Sequence, residues 1–226
     1  MGRAKKAVAL LSGGLDSATA LYWAKSENYA PHALAFDYGQ RHRKEIRMAR
    51  ALCDRAGVPC ELVRFTLPHK DSSLLDPSDK LPQAGSIERI AERIPSTYVP
   101  ARNTIFLSFG LSFAEALGAE AVMIGVNALD YSGYPDCRPD YIAAMAKVYK
   151  LGTKAGREDR PVKILAPLLK LKKWEIIKLG TKLKVPYELT WSCYQGGRKP
   201  CGRCDSCLLR AKGFAKAGIA DPALEH

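Results

Sequence analysis

The segment Ser12-Gly13-Gly14-Leu15-Asp16-Ser17 follows directly on the apolar run Ala7 to Leu11. A short run of this kind reads as a strand buried on both faces, as in parallel sheets. The two glycines let the backbone turn tightly and approach a bulky anion. Asp16 or Ser17 is placed to cap a helix that starts there, and Ala18 to Lys25 is good helix-forming sequence. Unpaired N–H groups at such a helix start carry partial positive charge, which makes a seat for phosphate. The Gly-Lys-Ser/Thr ending of the kinase-type phosphate loop is absent. Read without a ligand, the same residues are a strand-to-helix turn in which Gly and Ser serve geometry alone.

A second chemical cluster lies near the C-terminus. Four of the seven cysteines, Cys193, Cys201, Cys204 and Cys207, fall within fifteen positions. An odd total with tight clustering points to metal rather than disulfides. Four thiolates satisfy a closed tetrahedral zinc site and leave no position for substrate, so the zinc expected here is structural. The Cys-x2-Cys-x2-Cys run is also compatible with an iron–sulfur cluster, and free thiols are the remaining reading. Gly196, Gly197, Pro200 and Gly202 supply turns, and Arg198, Lys199 and Arg203 offset the thiolate charge.

The elements that must position these groups follow from periodicity. Ala33 to Tyr38 reads as a second buried strand, Arg41 to Ala56 as a helix closed by Gly57, and Glu61 to Phe65 as a third strand. A helix from about Asn103 to Leu117, a strand Ala121 to Val126, a helix Tyr141 to about Lys150 and a short strand Val162 to Leu165 come next. Lys172 to Lys184 and Leu208 to Ala217 read as the last helices. This alternation predicts an α/β fold with a doubly wound parallel sheet, followed by a small zinc-binding helical segment. The expected division is a nucleotide-binding domain over residues 1–185 and a packed C-terminal segment over 186–226. Residues 68–100 carry five prolines and read as a long loop serving a site. The loop of residues 127–139 leaves the C-terminal end of a parallel strand, where open α/β sheets bind ligands.

Composition narrows the classes. The chain has 226 residues, 47% of them hydrophobic, which suits one α/β domain with an appendage. No run approaches the ~20 apolar residues of a membrane span. The basic start is too short for a signal peptide, so a cytoplasmic location is expected. Net charge is +12, and residues 147–217 hold 18 Lys and Arg against 5 Asp and Glu, a net of +13. That basic third would attract polyanions such as tRNA or ATP, or it is a solvated face. Its aromatics are too sparse for a stacking ladder of the single-strand-binding kind.

The Ser-Gly-Gly-x-Asp-Ser form resembles the pyrophosphate loop of enzymes that cleave ATP to AMP and pyrophosphate. With Gly125-Val-Asn-Ala-Leu-Asp-Tyr-Ser-Gly-Tyr-Pro-Asp-Cys-Arg138 and Thr190-Trp-Ser-Cys193 in the same order, the chain resembles the QueC family of 7-cyano-7-deazaguanine synthases. Phe36-Asp-Tyr-Gly-Gln-Arg-His42, Val99-Pro-Ala-Arg-Asn103 and Pro186-Tyr-Glu-Leu189 add to the match, which runs from about residue 6 to residue 218. The resemblance implies a Rossmann-like sheet of the adenine nucleotide alpha hydrolase type. It also implies an ATP-dependent ligase of queuosine biosynthesis, joining 7-carboxy-7-deazaguanine with ammonia to give the nitrile. ATP with Mg²⁺, structural Zn²⁺ and a homodimer without obligatory nucleic acid or membrane partners are implied as well.

Under that resemblance Leu11, Ser12, Gly13, Gly14, Leu15, Asp16, Ser17, Ala18, Thr19 and Phe36 hold ATP, with Leu11 and Phe36 bordering the adenine. Asp16 holds Mg²⁺ or caps the helix. Arg102 and Lys163 neutralise the departing pyrophosphate or are surface residues. Asp130, Tyr131, Ser132, Asp136 and Arg138 shape the deazaguanine pocket, with Tyr131 or Tyr134 stacking on the ring. Cys137 is expected to be packed or substrate-facing rather than nucleophilic, since no histidine is near it in sequence. Two other functions remain open at this point: a tRNA-thiolating enzyme of the same superfamily, and a zinc-ribbon nucleic-acid-binding protein without catalysis.

Overall fold

In a computed structural model, which describes residues 3–67, 72–76, 78–82, 94–127 and 133–224, five strands form one sheet. They are β1 (Lys5–Leu10), β2 (Tyr29–Asp37), β3 (Cys60–Arg64), β4 (Ala121–Met123) and β5 (Lys163–Leu165). Their spatial order is β3-β2-β1-β4-β5, and every neighbouring pair is parallel. Parallel pairing requires a crossover between strands, and the helices supply it. These are α1 (Leu15–Ser26), α2 (Lys44–Ala56), α3 (Arg102–Leu117), α4 (Pro139–Gly152), α5 (Lys154–Arg157), α6 (Lys173–Lys182) and α7 (Asp205–Ala217).

The two-residue period of β1 sorts the helices into layers. Ala7 and Ala9, with Leu11 just beyond the strand, face a core built with α1, α2, α6 and α7, including Leu21, Leu52, Ile176, Ile177 and Phe214. Val8 and Leu10 face the opposite core with α3 and α4, including Leu107, Met145 and Tyr149. Helices on both faces make the sheet doubly wound, as the alternation predicts. The chain order reverses between β1 and β4, so the crevice for a ligand opens beyond their C-terminal ends.

Several boundaries differ from expectation. β2 starts at Tyr29 rather than Ala33, because Lys5 to Leu10 of β1 pair with Tyr29 to Leu34. α1 starts at Leu15 with Gly14 as N-cap, so neither Asp16 nor Ser17 caps it. α7 begins at Asp205 with Cys204 as N-cap, three residues before the expected start.

Glycine is required at two places around the crevice. Gly13 has φ +84°, and a Cβ there would lie 2.2 Å from the Glu45 carbonyl oxygen. A Cβ on Gly125 would lie 2.8 Å from the Ser17 backbone. The loop after β1 is thereby wedged between α2 and the chain leaving β4.

Candidate active site

A cavity of about 340 Å³ occupies the crevice. One wall is the loop after β1. Ser12 N–H donates to Ser17 Oγ (3.2 Å), the two serine hydroxyls lie 3.0 Å apart, and Ser17 Oγ–H donates to the Gly14 carbonyl (3.1 Å). These bonds close the loop on itself while α1 points its N-terminus at the cavity. Helix-start amides and two hydroxyls at this spot favour an anion.

Asp16, in the first turn of α1, is tied to a distant element. Lys173 Nζ at the start of α6 donates to both of its carboxylate oxygens (2.8 and 2.7 Å). Both residues are half-buried and line the cavity. The cation beside the phosphate seat is therefore Lys173, not Lys163. Lys163 is exposed at the start of β5 and is not among the cavity-lining residues. Packing of α6 against α1 is what brings Lys173 to this spot.

The second wall is assembled from β2, α2, α3 and the 3-10 turn Pro135–Cys137. Arg102, the first residue of α3, donates from Nη1 to Tyr38 Oη (3.0 Å) and lies near the Tyr38 and Tyr134 rings, 5.9 and 6.0 Å from their centroids. Phe36 stacks on Phe106 with centroids 4.0 Å apart, giving a flat apolar surface beside Leu11. Glu45, in the first turn of α2, turns a carboxyl toward Arg102. Burial pushes that carboxyl up to about 7, Arg102 opposes the rise, and Cys193 adds to it. Burial also raises the Tyr38, Tyr134 and Tyr194 hydroxyls.

Other expected site residues sit elsewhere. Ala18 and Thr19 are fully buried, and Thr19 hydrogen-bonds the Leu15 carbonyl and the Tyr187 hydroxyl, so both belong to the α1 core. Gly13 packs on α2 instead of lining the cavity. The Asp136 carboxylate accepts from Asn103 N–H (2.9 Å), which satisfies an orphan donor at the α3 start. Burial raises its pKa against that bond. Asp136 thus fixes the start of α3 beside Arg102. Arg138 is exposed as the α4 N-cap. Asp130, Tyr131 and Ser132 lie outside the described residues. Cys137 lines the cavity and accepts a hydrogen bond from Asn103 Nδ2 (3.2 Å).

The four clustered cysteines come together. Their sulfurs all lie within 4.8 Å of one another, and Cys201 and Cys207 are 3.9 Å apart. The N–H groups of Gln195 and Cys201 donate to the Cys193 sulfur at 3.4 and 3.3 Å, and that of Cys204 to the Cys201 sulfur at 3.3 Å. Hydrogen bonds from the Cys204 and Cys207 thiols hold Cys193 well below the ordinary thiol range. Deprotonated sulfur beside protonated sulfur in one tight group is what a metal ion would replace.

This knuckle is fastened to the loop wall. Trp191 N–H donates to the Gly13 carbonyl (2.9 Å), and the Trp191 indole N–H donates to the Cys193 carbonyl (2.7 Å). Lys44 Nζ sits 3.5 Å from the Trp191 ring centroid and donates to the Gly197 and Arg198 carbonyls (2.7 and 2.8 Å). Buried Arg210 pairs with Asp221 through two bonds (2.7 and 2.9 Å) and reaches Thr190, Ser192 and the Tyr187 carbonyl. Lys173, Glu45, Tyr194 and Arg210 line the cavity although no sequence motif singles them out.

A candidate phosphate seat at the switch point of a doubly wound sheet, wired to a four-cysteine knuckle, gives an α/β architecture suited to a nucleotide ligand. One solved structure, a 4-thiouridine synthetase–RNA complex with bound ATP, is similar over 98% of this chain and 52% of its own, with TM-score 0.51 and 19% identity. At that identity the likeness shows the fold alone. The model of the queuosine biosynthesis protein QueC family matches residues 6–218. A 7-cyano-7-deazaguanine synthase of Nostoc punctiforme is 58% identical over 219 residues, covering 96% of this chain and 98% of its own. Another from Thermoplasma volcanium is 52% identical, covering 96% and 90%. The chain belongs to the QueC family and is an enzyme of queuosine biosynthesis.

Proposed function

We propose that this chain converts 7-carboxy-7-deazaguanine and ammonia to 7-cyano-7-deazaguanine, using ATP and releasing AMP and pyrophosphate. The observation that carries this reading is the cavity, which joins the phosphate seat of residues 12–17 to a wall holding the Arg102 guanidinium and the Glu45 carboxyl. A carboxylate is a poor electrophile. Joining it to AMP makes a mixed anhydride; ammonia then displaces AMP to give the amide, and a second adenylation lets the amide oxygen depart as the nitrile forms. This chemistry needs positioning and charge stabilisation rather than a side-chain nucleophile.

The roles follow from the two walls. The backbone and hydroxyls of Ser12 to Ser17 hold the pyrophosphate, and Leu11 and Phe36 border the adenine. Arg102 and Lys173 neutralise charge on the departing group. Mg²⁺ arrives with ATP; Asp16 binds it only by giving up Lys173, which then turns to the phosphates. Tyr134 and Tyr194 are the aromatic faces available to the deazapurine.

The metal in the knuckle is zinc. Zn–S bonds of about 2.3 Å set thiolates about 3.8 Å apart, in keeping with the 3.9 Å between Cys201 and Cys207. A cubane iron–sulfur cluster holds its thiolates farther apart than four sulfurs within 4.8 Å allow. With all four positions filled, zinc fixes Trp191 and so the loop, without touching substrate. A homodimer acting on small molecules in the cytoplasm, in two segments meeting at residue 185, completes the reading.

The test is mass spectrometry of product and nucleotides from purified protein with ATP, Mg²⁺, ammonium and 7-carboxy-7-deazaguanine. The nitrile with AMP and pyrophosphate is expected. No nitrile and no substrate-dependent AMP from folded, zinc-loaded protein would overturn the reading.

A further inference from the structure

Two carboxylates line the cavity among the described residues, and they differ. Asp16 is fully engaged by Lys173 at 2.7 and 2.8 Å. Glu45 receives no hydrogen bond and lies in no ion pair within 4 Å among the described residues, although Arg102 acts on it electrostatically. Its backbone is not free to drift, because the Glu45 carbonyl abuts Gly13 of the phosphate loop. The side chain is therefore an acceptor held against the cavity with no donor among the described residues. Half-buried at the cavity wall, the carboxylate is open to a cation or donor that enters the cavity.

We infer that Glu45 is a catalytic residue that captures ammonium in the cavity and takes one proton from it, delivering ammonia to the adenylated acid. This rests on the function proposed above. Ammonium prevails in neutral water and has no lone pair to attack with. One N–H bond breaks, its electron pair stays on nitrogen, and the proton goes to a Glu45 carboxylate oxygen. The nitrogen then attacks the acyl carbon, the C–O bond to AMP breaks with its pair on the AMP oxygen, and the surplus proton of the new amide leaves to water. Glu45 returns its own proton to water before the next turnover.

The groups facing Glu45 suit this role. Arg102 from α3 and Tyr38 from β2 lie on one side, Cys193 of the knuckle on another, and His42 and Lys44 precede it on its own segment. Lys44 is turned away to Gly197, Arg198 and Trp191. Lining the cavity, the carboxyl can pass a proton it takes on to water.

The test compares Glu45→Gln with the unaltered protein in three assays. The first is ATP–pyrophosphate exchange driven by 7-carboxy-7-deazaguanine without ammonium; the second is amide formation with ammonium. The third is hydroxamate formation with hydroxylamine, which is uncharged at neutral pH. Exchange and its KM for the acid should stay within about threefold. Amide formation should fall about 100-fold or more, the usual scale for a lost general base, and should lose the rise with pH that ionisation of Glu45 gives. Hydroxamate formation should survive. Equal loss of exchange and amide, or a raised KM for the acid, would overturn the inference and make Glu45 a binding group for ATP or the deazapurine. Unchanged amide formation would overturn it as well. If the unaltered protein shows no exchange, the proposed function fails instead.

Discussion

The two walls of the cavity are built by opposite strategies. The phosphate wall is one contiguous segment, residues 12–17, whose hydrogen bonds are largely internal and whose charge comes from backbone amides. The opposite wall gathers Tyr38, Glu45, Arg102, Tyr134 and Tyr194 from separate elements, and its chemistry is carried by side chains. A single loop is fixed by local geometry, so its failure modes are steric. An assembled wall depends on everything that holds the elements together, so it fails when a distant anchor is removed.

The largest effect is expected at the most distant anchor. Cys204→Ser should drop zinc from about one per chain to none, and catalysis should fall to background, because Trp191 and Lys44 tie the knuckle to both walls. Metal analysis beside nitrile formation checks this; full activity without zinc would detach the knuckle from the site. Next comes the local failure: Gly13→Ala meets the Glu45 carbonyl and a left-handed backbone together. It should cost about 3–5 kcal/mol in denaturant unfolding. A loss under about 1 kcal/mol would mean the loop is not wedged on α2.

Lys173→Ala sharpens the comparison between the walls. It removes a side-chain cation from the otherwise backbone-made phosphate wall and should slow adenylation about 100-fold. Lys163→Ala, exposed on β5, should stay within about twofold. Equal effects of the two would return the phosphate role to Lys163.

The smallest effect has the opposite sign. Glu45 has a folded pKa raised above its ordinary value, so the native state binds the extra proton between about 4.5 and 7 and stability falls as pH rises through that window. At pH 8 the folded protein bears the full cost of a buried carboxylate, up to about 3 kcal/mol. Glu45→Gln should therefore unfold at higher denaturant than the unaltered protein at pH 8, and not at pH 4. Better stability with poorer ammonia use is the trade expected of a functional group held in an unfavourable setting.

The phosphate wall was legible because contiguous residues carry it: the apolar run, the glycines and the serines appear in order. The cysteine knuckle was legible for the same reason. Lys173 and Glu45 were not, since nothing local distinguishes one lysine or glutamate of an amphipathic helix from its neighbours. Only the β3-β2-β1-β4-β5 order brings α6 beside α1 and α2 beside the loop. Asp136 shows a related limit: its type suits a guanine-like edge, and only the fold shows that its carboxylate accepts from the N–H at the α3 start. β2 was read four residues short because Pro31 and His32 break its apolar pattern, while pairing with β1 holds them in the strand all the same.

The central claim is that this cavity activates oxygen by transfer to AMP. Label both carboxylate oxygens of 7-carboxy-7-deazaguanine with heavy oxygen, run the reaction to the nitrile and weigh the nucleotides. The account predicts an unlabelled nitrile and two AMP molecules per nitrile, each carrying one heavy oxygen. Heavy oxygen in pyrophosphate, in inorganic phosphate or in water would contradict it.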